Sequence, residues 1–428
     1  MPLLSSTLLG NMHIADHAID VPLCWSEPER GAIQVFFREV CHVSNQGKEL
    51  PLLVYLQGGP GGRSPRPGSD GPGWLEEAIK HYRVILPDQR GTGRSSRVNS
   101  RVMQRFSSPE QAADYLACFD AHAVVADLEH IRSSHYGGAQ WETLGQSYGG
   151  FLTLTYLSTA PEGLAGCYIT GGLAGLQPDA DETYRLTYRR VVSKMAAHLR
   201  RYPGDGTILD RLADHIQAHS PTLPNGDPLT VRRLQSIGLM LGMQKGSEQL
   251  HWLLEDAFHD TYQTELNPHF LVELMQLTGM DENPLFAALH ENIYAHPGGT
   301  TRWAAQRQRE NFPEFDESAR PLFLTGEMIY PWMFDEIQEL HAFREGAQQL
   351  AQRSPARPYY DLVRLSTNTV PVVAAIYFDD MYVDSSLSLE TAEHVSNLTY
   401  WLTNEHEHDG LRDDPGVFLR LRKMLQNR

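Results

Sequence analysis

The stretch Gly145-Gln146-Ser147-Tyr148-Gly149-Gly150 sets a serine among glycines in the pattern G-x-S-x-G. Trp141 to Leu144 before it reads as a short strand, and Phe151 to Thr159 after it as a helix packed through Leu and Tyr. A serine on so tight a strand-to-helix turn is pushed out of the sheet, with its hydroxyl exposed at the helix N-terminus to attack a carbonyl. Glycines on both sides remove the Cβ atoms that would collide in the bend. The plain alternative is an ordinary Gly-Ser turn, and the strand and helix around the motif favour the nucleophile. Two further strands end in glycine-rich loops: Pro51 to Gln57 runs into Gly58-Gly59-Pro60-Gly61-Gly62, and Tyr82 to Asp88 into Gln89-Arg90-Gly91-Thr92-Gly93-Arg94-Ser95. Such loops bring backbone N–H groups close to a ligand, which in acyl transfer forms an oxyanion hole. Phosphate binding fits less well. No lysine follows as G-x-x-x-x-G-K-[ST] requires, and no G-x-G-x-x-G opens a helix.

Together GGPGG, DQRGTGRS and GQSYGG resemble the prolyl aminopeptidases, or proline iminopeptidases, of the α/β-hydrolase fold, most closely the long bacterial type. The motifs lie within residues 58–150, segment 370–412 is similar as well, and the middle of the chain is a looser match. The resemblance implies a mostly parallel sheet flanked by helices, with a large helical cap inserted. It also implies a serine exopeptidase that releases N-terminal proline from small peptides without a cofactor.

A serine hydroxyl needs an imidazole to take its proton and a carboxylate to orient that imidazole, and in this fold the chain order is Ser, then Asp or Glu, then His. The acid is expected after the strand at 370–378, where Asp379, Asp380 and Asp384 are candidates. Alignment with the family's G-R-Y-D pattern puts Asp380 in the acid position, leaving the other two to loop solvation or to capping a helix at 386–395. The segment Asn404 to Gly410 offers His406 and His408 as the base, and His408, followed by Asp409-Gly410, better matches the family's histidine loop. His-Glu-His-Asp lacks the H-E-x-x-H spacing, so no metal is expected. One oxyanion donor should be the backbone N–H of Tyr148, the other by resemblance that of Gly59, with Gly58 the neighbouring choice. The family also implies cap glutamates that anchor the substrate amine. Glu327, in Gly326 to Trp332, and Glu291, in His290 to Tyr294, each pair a carboxylate with aromatic residues. An aromatic wall suits a flat pyrrolidine ring, and a carboxylate suits its ammonium. Either glutamate also reads as a helix-surface residue beside buried aromatics.

Those groups need a scaffold. Residues 11–56 carry the first, largely antiparallel strands (Ile33 to Val40, Leu52 to Leu56), and strands at 82–88, 141–145 and 167–170 follow, with a helix around 109–135. From 178 to 355 long amphipathic patterns dominate, as in Glu182 to Arg201 and Thr230 to Met243. Strand character then returns at Val370 to Phe378 and Leu398 to Leu402, before a closing helix from Gly416 to Leu425. Alternating strands and helices at both ends predict an α/β fold with a mostly parallel sheet. Residues 1–177 and 356–428 form its core in this reading, and 178–355 form a cap placed after the sixth strand.

With 41% hydrophobic and 21% charged residues over 428 positions, the chain can bury a substantial core. No apolar run approaches the ~18–20 residues that span a bilayer. The N-terminus has no basic n-region, long apolar stretch or small-residue cleavage site, which predicts a cytoplasmic protein rather than a membrane or secreted one. Cys24, Cys41, Cys118 and Cys167 form no C-x-x-C pair and read as free thiols. A net charge of −17 disfavours nucleic acid and mildly favours a cationic substrate such as a free peptide N-terminus. A broader aminopeptidase or an esterase would fit the same core, since one fold hosts many chemistries. A non-catalytic binding protein fits less well, because nucleophile, acid and base candidates all stand in order.

Overall fold

At the centre of a nine-stranded sheet, β4 (Leu52–Leu56) and β6 (Trp141–Gln146) lie side by side and parallel. The computed structural model describes residues 3–68, 71–177, 179–259 and 264–428. Around that pair the strands are β1 (Leu3–Leu9), β2 (Met12–Pro22), β3 (Ala32–His42), β5 (Arg83–Asp88), β7 (Leu164–Thr170), β8 (Val372–Tyr377) and β9 (Leu398–Thr403). Their spatial order is β1-β2-β3-β5-β4-β6-β7-β8-β9. From β5 to β9 all pairs are parallel, and β1 to β3 add an antiparallel wing. β8 is VVAAIY, with every residue buried. A continuous apolar run of this kind is what a parallel strand needs when helices cover both faces.

The antiparallel wing differs from the sequence expectation. β1 and most of β2 fall where no strand was foreseen, because MHIADHAIDVP breaks its apolar pattern with Asp16 and His17. Both polar residues are buried, and Asp16 is matched by Arg38 Nε at 2.8 Å and Arg94 Nη1 at 2.5 Å. A buried acid is tolerable when it is paired and hydrogen-bonded. The extra strand moves the helical insertion to a place after the seventh strand rather than the sixth.

Between β7 and β8 the described residues form helices, among them Ala180–Arg201, Asp205–His219, Gly246–Glu255 and Pro268–Thr278, with two isolated bridges. The expected helix over 230–243 is instead a short α-helix, Val231–Gln235, followed by a 3₁₀ stretch, Ser236–Gly242. Gly238 there lies against the Thr325 carbonyl so closely that a Cβ would sit 2.2 Å from its oxygen. The helix expected at 109–135 is likewise two, Pro109–Leu116 and Ala121–His135, the second capped by Asp120. No helix of the described residues is long and apolar enough to cross a membrane.

The parallel strands present their C-terminal ends on one side of the sheet, where open α/β folds bind ligands. β4 leads into Gly58, β6 into Ser147, β8 into the 379–384 loop and β9 into the 404–410 loop. Every candidate group from the sheet thus meets at one edge.

Candidate active site

β6 ends at Gln146 and the helix Tyr148–Thr159 begins one residue later, so Ser147 alone makes the turn, at φ 56° and ψ −124°. A non-glycine residue in that region costs about 1–3 kcal/mol and persists only where its surroundings hold it. Here the Ser147 N–H donates to Thr170 O at 3.0 Å, and its own carbonyl accepts from the Gly150 N–H at 2.7 Å. The helix presses backbone to backbone on the sheet. A Cβ on Gly149 would lie 1.9 Å from Leu56 O.

Gly58 approaches the nucleophile directly, since a Cβ placed on it would lie 2.9 Å from Ser147 Cβ. The Gly58 to Gly62 loop therefore passes alongside Ser147, with Gly59 the next residue along it. The other glycine loop serves a different purpose. Arg90 is buried and donates to both Asp127 oxygens, at 2.7 and 2.5 Å, and to the carbonyls of Leu23 and Cys118 at 2.8 and 2.6 Å. Its guanidinium clamps three backbone segments, and Gly91 gives the Leu285 side chain room to pack on them.

Among the three aspartates, Asp380 faces His408. Its Oδ2 is 2.7 Å from His408 Nδ1, while Oδ1 accepts from the backbone N–H groups of Tyr382 at 2.8 Å and Val383 at 3.1 Å. Both partners are buried, at 1% and 4% exposure. Asp379 points outward to Arg190 at 3.2 Å, and Asp384 caps the helix Ser385–His394. His406 turns away, 3.9 Å from Asp414 and edge-on to Trp401. Burial alone would push the His408 imidazole down. The charge and hydrogen bond of Asp380, with the charges of Glu327 and Asp409, outweigh it and hold His408 above its ordinary value. The His408 carbonyl accepts from Gln146 Nε2 at 3.4 Å, which brings the histidine loop against the residue before Ser147.

The sequence gave no sign of what staples that loop. The His408 N–H donates to Gly242 O at 3.1 Å, Gln244 bonds both Glu407 N and Asp409 Oδ1, and Lys194 pairs with Glu407 at 2.5 Å. All three come from the helical insertion, whose contribution depends on tertiary packing that no local pattern encodes. The Tyr382 ring meets His408 edge-on, 4.6 Å between centroids.

Glu327 sits deep in the protein, where its charge acts on His408, Asp380, Tyr382 and Tyr294. Burial pushes its carboxyl up to about 7, with His408 pulling it down and Asp380 adding to the rise. Glu291 is 3% exposed, and its Oε1 accepts from the Ala305 N–H at 2.9 Å while Oε2 has no partner. Burial raises it to about 7 as well, against hydrogen bonds from its surroundings that lower it. Both carboxylates act on Tyr184, whose buried hydroxyl is also unpartnered. Two acids and an orphan hydroxyl without a fixed cation suit a ligand that brings one. Among the described residues no cluster of three or more His, Cys, Asp or Glu is placed to hold a metal.

The strand order and the serine turn are those of an α/β hydrolase, and the family described as alpha/beta hydrolase fold matches residues 51–408. A proline iminopeptidase from Aeromonas sobria is 44% identical over 409 residues, 95% of this chain and 95% of that protein. A second proline iminopeptidase, from Aspergillus aculeatus, is 29% identical across 94% of this chain and 91% of its own length. The chain belongs to the proline iminopeptidase family of α/β hydrolases and is an enzyme of that class.

Proposed function

We propose that the protein releases N-terminal proline from small peptides through an acyl-enzyme on Ser147. His408 takes the Ser147 proton and returns it to the leaving amine, Asp380 fixes the imidazole tautomer, and water then clears the ester. The N–H groups of Tyr148 and Gly59 receive the developing oxyanion. The helical segment 178–355 serves as the cap, and from it Glu327, seconded by the free oxygen of Glu291, takes the proline ammonium. The observation that carries this reading is the buried Asp380–His408 pair at 2.7 Å, with the Glu327 charge acting on the same imidazole. A base and an amine acceptor that close together fit a substrate whose charged N-terminus lies one residue from the scissile bond. The name shared by the two relatives agrees with it. We place the activity in the cytoplasm, where the free thiols stay reduced.

The test compares Pro-naphthylamide with its N-acetyl form on the purified protein. Capping removes the ammonium and leaves buried carboxylates unpaired, so kcat/KM should fall by ~10²-fold or more. Equal rates on both would overturn the exopeptidase reading.

A further inference from the structure

A cleft of about 980 Å³ lies beside the helix that starts at Tyr148, and the chemistry above makes no use of it. Its wall includes Tyr148 at one end of that helix and Thr159 at the other. At 1.5 Å per residue the cleft follows the helix for roughly 16 Å. Its near end is one residue from Ser147, and Asn292 and Ile293, which follow Glu291, border it there.

The wall is partly aromatic, with Trp25, Phe119 and Tyr359, and it carries Arg30, Arg353 and Arg357. Each acid on it is already engaged. Asp114 pairs with Arg353 at 2.6 Å, Glu129 with Arg132 at 2.7 Å, and Asp120 accepts from the Ala123 N–H at 2.8 Å. Arg357 is exposed and forms no ion pair among the described residues, and Arg30 has only Glu27 at 3.6 Å. The cleft thus begins at the reacting serine and offers uncommitted guanidinium groups farther out.

We propose that this cleft holds the leaving portion of the peptide and that Arg357 and Arg30 receive its C-terminal carboxylate, an inference that rests on the function proposed above. A guanidinium matches a carboxylate with paired hydrogen bonds. An extended chain advances about 3.3 Å per residue, so roughly 16 Å accommodates four or five residues beyond the proline. The preferred substrate class is therefore short proline-initiated peptides with a free C-terminus.

The test is a series of proline followed by one to seven glycines, each as free acid and as C-terminal amide, with Pro-naphthylamide alongside. The acid should be favoured in kcat/KM by about fivefold near four or five glycines, as expected for a partly exposed charge pair. The preference should fade for shorter peptides and at high salt. The double variant Arg30→Gln/Arg357→Gln should abolish it, through KM rather than kcat. Hydrolysis of Pro-naphthylamide together with an acid-to-amide ratio of one at every length overturns this inference alone, as does a preference that survives in the double variant. Failure to hydrolyse Pro-naphthylamide at all overturns the proposed function and this inference with it.

Discussion

The Glu327 carboxylate and the His408 imidazole lie close enough to move each other's proton affinity. Glu327 is among the charges that lift His408 against burial, and His408 is the group that draws Glu327 down from where burial drives it. Activity on Pro-naphthylamide should therefore rise with pH through about 7, as Glu327 ionises and His408 sheds its proton. Glu327→Gln deletes a negative neighbour, so the His408 pKa should fall and the acidic limb of kcat/KM should move to lower pH, while KM for the proline substrate rises. An acidic limb that does not move in the variant would show that the two groups are uncoupled.

Ser147→Ala should leave the fold intact and lower kcat by at least ~10³-fold. Tyr148→Phe should be mild by comparison, because its N–H does the work and its phenol interacts with Asp120, Tyr359 and Tyr360. Circular dichroism with steady-state kinetics checks both, and wild-type turnover in a folded Ser147→Ala protein would end the serine mechanism.

Asp380→Asn and His408→Ala should each be severe, and combining either with Ser147→Ala should add little, since the three act as a unit. Asp379→Asn and His406→Ala should be mild, because Asp379 faces Arg190 and His406 faces Asp414. A crippled His406→Ala enzyme with an active His408→Ala counterpart would reverse the assignment of the base.

Glu291 predicts a pH-dependent stability. Its folded pKa, raised by burial from 4.5 to about 7, means that the stability it contributes is complete below the unfolded value and lost as pH climbs through the folded one. Glu291→Gln should therefore exceed the wild type at pH 8 by up to about 3 kcal/mol, with the advantage vanishing near pH 4. Urea denaturation at the two pH values checks it, and equal gains at both would remove the carboxylate as the cause.

The serine turn was legible because its cause is local: a backbone that must bend sharply and lie against Leu56 demands glycines at fixed spacing, and those glycines are visible in the chain. The choice between neighbouring candidates was less so. Which of Asp379 and Asp380 faces inward depends on loop geometry, and for Asp380 the deciding contacts are backbone N–H groups two and three residues on. β2 escaped notice because its buried Asp16 is made tolerable by Arg38 and Arg94, both distant in sequence. The staples on the histidine loop, from Lys194 and Gln244, were illegible for the same reason.

β7 and β8 are hydrogen-bonded neighbours although the whole helical insertion separates them in the chain. During synthesis the serine turn emerges early, yet the strand that carries Asp380 and the loop that carries His408 are among the last segments made. A nascent chain stalled anywhere in the insertion has a nucleophile with no base beside it. The order of the elements along the chain thus keeps the enzyme silent on the ribosome, and the newborn peptides that surround it there are safe until its final strand has docked.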